Sequence, residues 1–471
     1  MGGAMTEAPP RSEDTSTRGG ELLARWERLP FTSAHRRAFQ ILGTGTFFDS
    51  FDTVALAVTL TAVTSTMHIG LGDAGLLISA GYVGQIAGAL GLGWASERYG
   101  RRPVFLASMA LFGVAALLAA AAWSGLSLGL FRLVQGIGLG AEVPVAAALF
   151  NELVRGRARG RSVMLYETSF TLGNMAASLV AAALFGLLHD EATWRTMLAL
   201  GAIPLLVALW ARPRLVESPR FLISRGRTAE AGRLVTAMEA ETLRKGNQLE
   251  PAEAPIAPDT RATRLAEIFS AQYLRRTMMI WTVWFTTYFT LWGLTTWLPS
   301  LLVNEGGMHP ATASLASAGL QAINVALVVT IALTVDRLGR RFWITLGYAV
   351  SALGAAIGAL VTWSGQTQSP VGLIALAVPV LLGVNAVAPI AFMYTGELYP
   401  TRMRAWGTMA ASSFRNVGAV LAPAVIGWIL DGDGGMAALY LMFLTTLVVG
   451  LAVFWAFGPE TAREKLESLA S

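Results

Sequence analysis

The peptide Gly93-Trp-Ala-Ser-Glu97-Arg98-Tyr-Gly100-Arg101-Arg102 recurs in weaker form 239 residues later, as Ala332-Leu-Thr-Val-Asp336-Arg337-Leu-Gly339-Arg340-Arg341. Both copies sit between long apolar segments, so the chain is constrained to two copies of one multi-helix unit, each turning at an acidic-then-basic loop. Further pairs keep an offset of 245: Pro144, Glu152 and Arg157 match Pro389, Glu397 and Arg402.

With 54% hydrophobic and only 14% charged residues, the chain reads as one that dissolves in lipid. A hydrocarbon core of ~30 Å needs about 20 apolar residues per helix. Twelve segments satisfy this: 38–63, 73–95, 103–123, 126–152, 162–188, 194–211, 277–303, 312–335, 342–363, 371–396, 405–430 and 436–457. The expected class is an all-α membrane protein of two pseudo-symmetric six-helix bundles. Its expected divisions are a disordered cytoplasmic tail over 1–37, an N-terminal bundle over 38–211, a cytoplasmic linker over 212–276 with a surface helix near 227–245, a C-terminal bundle over 277–457 and a cytoplasmic tail over 458–471. Orientation follows from the basic residues, which stay in the cytoplasm. With both termini inside, all of the 35 Lys and Arg except Arg132, Arg195 and Arg415 fall on that side. The pI near 9.7 thus reflects topology rather than nucleic-acid binding.

The absence of cysteine excludes disulfides and thiolate metal sites. The two lysines, Lys245 and Lys465, follow no GxxxxGK pattern, so no P-loop is present. Neither an enzyme nor a cofactor is expected. Transport would have to run on a gradient.

An ionised side chain in mid-membrane costs at least ~2.5 kcal/mol and is normally functional. Six stand out: Asp49, Asp52, Glu142 and Glu167 against Arg132 and Arg415. Four acids against two bases leave an excess negative charge of two, which points to a carboxylate that takes a proton during part of the cycle. The histidines lie at His35, His68, His189 and His309, before the first span or near outer loops, so a histidine relay is not expected. The plainer alternative is that the acids pin helices together. Asp49 and Asp52, three apart, share one helix face. Arg415 lies ten residues into its span among Ser412, Gly418, Ala419 and Ala422, which leaves room for its planar fork to grip a carboxylate. The seventh span carries Trp281, Trp284, Phe285, Tyr288 and Trp292 on one stripe. Trp281 and Trp284 are assigned to packing or an interfacial belt, and the deeper Tyr288 and Trp292 to sandwiching a flat ring. Gln321, Asn324, Asn385, Tyr394 and Asn416 add neutral polar groups, each equally suited to ligand contact or helix glue.

The two Gly-x-x-x-Asp/Glu-Arg-x-Gly-Arg-Arg loops resemble those of the major facilitator superfamily, as do Arg132-Leu-Val-Gln135-Gly136-Ile-Gly138, Glu217-Ser-Pro219-Arg220 and Pro459-Glu460-Thr461. The resemblance covers about 38–465, with Glu97 in place of the usual Asp and Ala332 in place of the usual Gly. Phe47-Phe-Asp49-Ser-Phe-Asp52, Gly138-Leu-Gly140-Ala-Glu142-Val-Pro144, Tyr166-Glu167-Thr-Ser-Phe and Ser413-Phe-Arg415-Asn-Val-Gly418 look like the bacterial niacin-uptake transporters, with aromatic-acid/proton symporters and organic-ion carriers as kin.

That resemblance implies a monomeric inner-membrane carrier importing a small aromatic carboxylate, nicotinate above all, with protons by alternating access. It implies coupling at Asp52 and Arg132, with Glu142 and Glu167 in the same role. Substrate binding falls to Asp49, Tyr288, Trp292, Gln321, Asn324, Asn385, Tyr394, Arg415 and Asn416. A cytoplasmic gate follows from Gly93, Glu97, Arg98, Gly100, Arg101, Glu152 and Arg157 in one half, and Asp336, Arg340, Glu397 and Arg402 in the other. An organic-cation carrier and a transporter-like sensor signalling through 212–276 are the rivals. A central arginine argues against the first, and the lack of an output domain against the second.

Overall fold

The computed structural model describes residues 12–153, 159–246, 248–249, 251, 265–365, 369–399, 403–432 and 434–461 of the 471. Among them it contains helices and no strand. The first half holds α1 (Ser12–Glu27), α2 (Ser33–Met67), α3 (Leu71–Tyr99), α4 (Arg101–Ala120), α5 (Gly125–Leu153), α6 (Arg159–Leu187), α7 (Asp190–Leu200) and α8 (Ile203–Ala211). Between the halves lie α9 (Pro219–Ser224) and α10 (Thr228–Arg244). The second half holds α11 (Leu274–Asn304), α12 (Pro310–Leu338), α13 (Arg340–Trp363), α14 (Pro370–Leu398), α15 (Arg404–Asp431) and α16 (Gly435–Phe457).

Among the described residues ten segments are long and apolar enough to cross a membrane, with α7 and α8 counted as one. The long helices α5 and α11 complete twelve. The apolar run of α11 is diluted by threonines and aromatic rings with polar edges. At 1.5 Å per residue the 31 residues of α11 exceed the ~30 Å of a hydrocarbon core. The sixth span breaks after Leu200 because Pro204 stands in the first turn of α8 and fits a helix start, not an interior. Proline follows a side-chain cap at three other starts: Ser218 caps α9, His309 caps α12 and Ser369 caps α14. Outward-facing Leu90, Leu126, Leu333, Leu360, Trp363 and Val371 are largely exposed, as a lipid-facing surface requires.

The halves meet where α3 packs on α15, α2 on α11 and α6 on α12. Toward the start of α3, the Ser79 hydroxyl donates to the Val420 carbonyl (2.7 Å), and the Trp297 indole donates to the Pro423 carbonyl (3.2 Å) on the same stretch of α15. The repeated loops lie at the opposite end, where α3 and α12 finish.

The disordered tail read over 1–37 is corrected over Ser12–Glu27. Leu22 packs with Leu222 and Ala231, and Trp26 and Leu29 enter a core that includes Val235 and Met238. Arg25 and Arg28 pair with Glu239, the latter at 2.7 Å, and Arg220 pairs with Glu27 at 2.7 Å. Glu241 accepts from the Ser33 amide (2.9 Å) and hydroxyl (2.7 Å). A short helix on a polar stretch is marginal alone, and here its few apolar residues share one docked face.

Candidate functional site

Asp52 is 1% exposed at the middle of α2. Arg132 of α5 donates through Nη1 to its Oδ2 at 2.6 Å and to Gln135 Oε1 at 2.8 Å. Gln135 Nε2 closes the triangle on Asp52 Oδ1 at 2.9 Å. Arg132 and Gln135 are one helical turn apart, so both reach the same carboxylate. The α7–α8 break lies beside it, since a Cβ on Gly201 would stand 3.5 Å from Asp52 Oδ1. Gln135 was not singled out from the sequence, although its spacing from Arg132 was the available signal.

Asp49, one turn earlier, is also buried and lies within electrostatic reach of both Asp52 and Arg415. Arg415 is half-buried on α15, its Nε donating to Asn416 Oδ1 at 3.4 Å and its guanidinium 6.0 Å from the Tyr288 ring centroid. Among the described residues no carboxylate stands within ion-pair distance of it. Tyr288 is buried and stacks on Trp284 at 5.4 Å. Half-buried Trp292 meets Tyr82 of α3 at 6.1 Å and Phe170 of α6 at 6.5 Å, so aromatic rings from both halves converge. Tyr82 and Phe170 were missed, because an isolated ring in an apolar span carries no sequence signal.

The other expected site residues divide. Gln321 and Asn324 are half-buried on α12, and Asn324 Oδ1 is enclosed without a hydrogen bond. Glu142 is 2% exposed and packs against α2, with Thr46 Oγ1 donating to its Oε1 at 3.4 Å. Glu167 lies on α6, with its side chain outside the described residues. Two of the expected substrate residues form hydrogen bonds within the second half. Asn385 turns its amide back on the Leu381 carbonyl of its own helix (2.8 Å). Tyr394 donates to the Pro459 carbonyl (2.7 Å) beside Phe454, which draws it into the loop-end network, because it stands in the last turn or so of α14, four residues before Leu398. Trp284 takes the packing role of its expected pair of roles. It is fully buried and donates to Thr395 Oγ1 at 2.9 Å.

The two loops repeat one geometry. Gly100 and Gly339 stand at φ of 113° and 93°, where a side chain is strained, and a Cβ on either would collide with the carboxylate of Glu217 or Glu460. Glu217 accepts the amides of Arg101 (3.2 Å) and Arg102 (3.3 Å), and Glu460 those of Arg340 (3.1 Å) and Arg341 (3.0 Å). A carboxylate at each helix start satisfies orphan donors and the dipole. Burial pushes the Glu217 carboxyl upward, opposed by the Ser218, Arg102 and Arg101 amides. Arg340 also pairs with Glu397 at 3.0 Å, and Thr461 Oγ1 donates to Glu397 at 2.5 Å. Glu97 is exposed and makes no ion pair among the described residues, while Arg98 lies over Trp94 and Tyr99 and Arg225 donates to the Glu97 carbonyl. Gly93 contacts nothing that a Cβ would meet. Arg157 and Arg402 lie outside the described residues, as do the side chains of Glu152 and Asp336.

This architecture resembles solved transporters. A D-xylose–proton symporter superposes with a TM-score of 0.70 at 18% identity, covering 92% of this chain and 100% of that one. The partially occluded inward-open form of the xylose transporter XylE from E. coli gives 0.67 at 18%, covering 92% and 100%. In sequence the chain is 28% identical over 458 residues to the niacin transporter NiaP of Acinetobacter baylyi, covering 95% of this chain and 99% of that protein. It is 30% identical over 413 residues to the 4-hydroxybenzoate transporter PcaK of Pseudomonas aeruginosa, covering 86% and 88%. The family described as Sugar (and other) transporter matches residues 45–471. A twelve-span chain with this repeated loop geometry and this match is a multi-pass membrane transporter, and it belongs to the Sugar (and other) transporter family of the major facilitator superfamily.

Proposed function

We propose that this transporter imports nicotinate together with a proton across the cytoplasmic membrane. The carrying observation is Arg415, a partly buried guanidinium with no carboxylate within ion-pair distance among the described residues, set beside Tyr288 where the halves meet. A planar cation of this kind suits a planar carboxylate, and a nearby ring suits a flat aromatic body. Trp292, Asn324, Gln321, Asn416 and Asp49 complete the binding surface, with the pyridine ring held between aromatic faces. Asp52 carries the proton and Arg132 displaces it, with Glu142 and Glu167 as auxiliary acids. The names of the niacin and 4-hydroxybenzoate transporters among the relatives support an aromatic acid as cargo.

The end bearing Gly100 and Gly339 is cytoplasmic, with both termini there and 212–276 as the linker between bundles, because this orientation leaves almost all basic residues inside. Uptake of labelled nicotinate into proteoliposomes under an imposed pH difference tests the proposal. Accumulation that follows the gradient and is competed by nicotinate but not by nicotinamide is expected. A protein that stays inert toward nicotinate and accumulates 4-hydroxybenzoate would move the assignment to benzenoid acids.

A further inference from the structure

Arg132 is 6% exposed, and its Nη1 is committed to Asp52 and Gln135. Its Nε is buried and makes no hydrogen bond. Arg132 borders a cavity of about 10 Å³ at the meeting of α2, α3, α5 and α11, where Thr53, Tyr82, Gln85 and Thr296 supply the other polar groups. A space of that size holds one water, and a buried water needs two to four polar partners. Thr53 lines the cavity and commits its hydroxyl hydrogen to the Asp49 carbonyl (3.1 Å), which leaves its oxygen free to accept. Gly81 keeps the space open, since a Cβ there would stand 3.6 Å from Arg132 Nη2 and 3.8 Å from Nε.

We propose that this cavity is a single-water site in which the water accepts from Arg132 Nε and donates to Thr53, and that Tyr82 is the positioning residue that seals it against Thr296 of the second half. The Tyr82 ring also touches Trp292, 6.1 Å between centroids. Tyr82 therefore joins the Asp52–Arg132 pair, the proposed aromatic binding surface and the seam between the halves. When the second half moves away, Thr296 leaves, the water loses its enclosure, and the guanidinium loses the partner that holds its far side. This part rests on the reading of Asp52 and Arg132 as the coupling pair, whereas the water site itself does not.

Two measurements separate those claims. X-ray radiolysis with mass spectrometry oxidises buried side chains that neighbour bound water, so Tyr82 in the detergent-purified parent should be labelled rapidly and Gly81→Ala, whose methyl fills the cavity without a clash, should lose that labelling. In proteoliposomes, Gly81→Ala should lower pH-driven nicotinate accumulation several-fold while leaving nicotinate counterflow within about two-fold, and Tyr82→Phe should lower accumulation more than counterflow, a split that a general folding defect would not produce. An unlabelled Tyr82 in the parent, or parent-like labelling in Gly81→Ala, overturns the water site. Equal loss of accumulation and counterflow overturns the positioning role of Tyr82. Nicotinate inertness of the parent would instead overturn the proposed cargo, with the labelling still deciding the water site.

Discussion

Glu217 and Glu460 occupy equivalent places in the two halves, each capping the helix that follows a left-handed glycine. Neither acid lies in the repeated loop itself; each follows the last span of its half, so the turn that starts α4 or α13 is completed by residues more than a hundred positions away. Gly100→Ala and Gly339→Ala should each destabilise the protein by about 1–3 kcal/mol, from left-handed strain plus displacement of the capping carboxylate. Melting followed by scanning fluorimetry in detergent should fall by several degrees for both. An unchanged melting temperature for either would remove the cap from the account of that half.

Arg415→Ala should weaken nicotinate binding on the order of 100-fold or more, because loss of a buried charge partner costs about 3 kcal/mol or more. Nicotinamide, of the same shape without the charge, should bind the parent poorly. Isothermal titration of both ligands against both proteins reads this directly. Equal affinity of the parent for acid and amide would show that Arg415 does not recognise a carboxylate.

The N-terminal helix gives a pH-dependent prediction outside the membrane. Hydrogen bonds from Arg25, with its charge and that of Arg28, hold the Glu239 carboxyl below its ordinary value near 4.5 against the opposing effect of burial, and Lys245 with Ser33 holds Glu241 down to about 2. Groups lowered in the docked state contribute stability that is present at neutral pH and is lost as pH falls below their ordinary values. Amide protection in 20–27 should therefore be retained from pH 7 to about 5 and decline below about 4.5. Glu239→Gln should lower it at pH 7 as well, and full protection in that variant would place docking on Leu22 and Trp26 alone.

Charge in an apolar span was legible from sequence because nothing else there is charged: Asp52 and Arg132, 80 residues apart, meet directly. The neutral member, Gln135, was not, since one amide in a glycine-rich helix looks like any other. Depth was the other blind spot. Spacing put Trp284 on the same stripe as Tyr288, but which of them reaches the seam depends on the packing of α11 against α14 and α15. Tyr394 reads as a neutral polar group suited to ligand or helix glue, and its hydroxyl reaches Pro459 beyond the end of α16. The Ser12–Glu27 helix escaped because its apolar residues are few and gain their burial from α9 and α10, a tertiary effect that local composition does not carry.

Asp52→Asn tests coupling itself. An amide keeps an acceptor for Arg132 and removes the site that gains and loses a proton, so it imitates the protonated carboxyl throughout the cycle. The variant should bind nicotinate and exchange it across the bilayer in counterflow at rates near those of the parent, because neither process needs net proton movement. It should fail to concentrate nicotinate under an imposed pH difference. Gln135→Ala, which removes the donor to Asp52 Oδ1 and leaves the Arg132 contact, should fall between the two, with accumulation reduced and exchange kept. Parallel proteoliposome measurements of accumulation and counterflow separate loss of coupling from loss of binding, since Arg415→Ala should abolish both. Full pH-driven accumulation by Asp52→Asn would remove Asp52 from the coupling role and pass it to Asp49, Glu142 or Glu167.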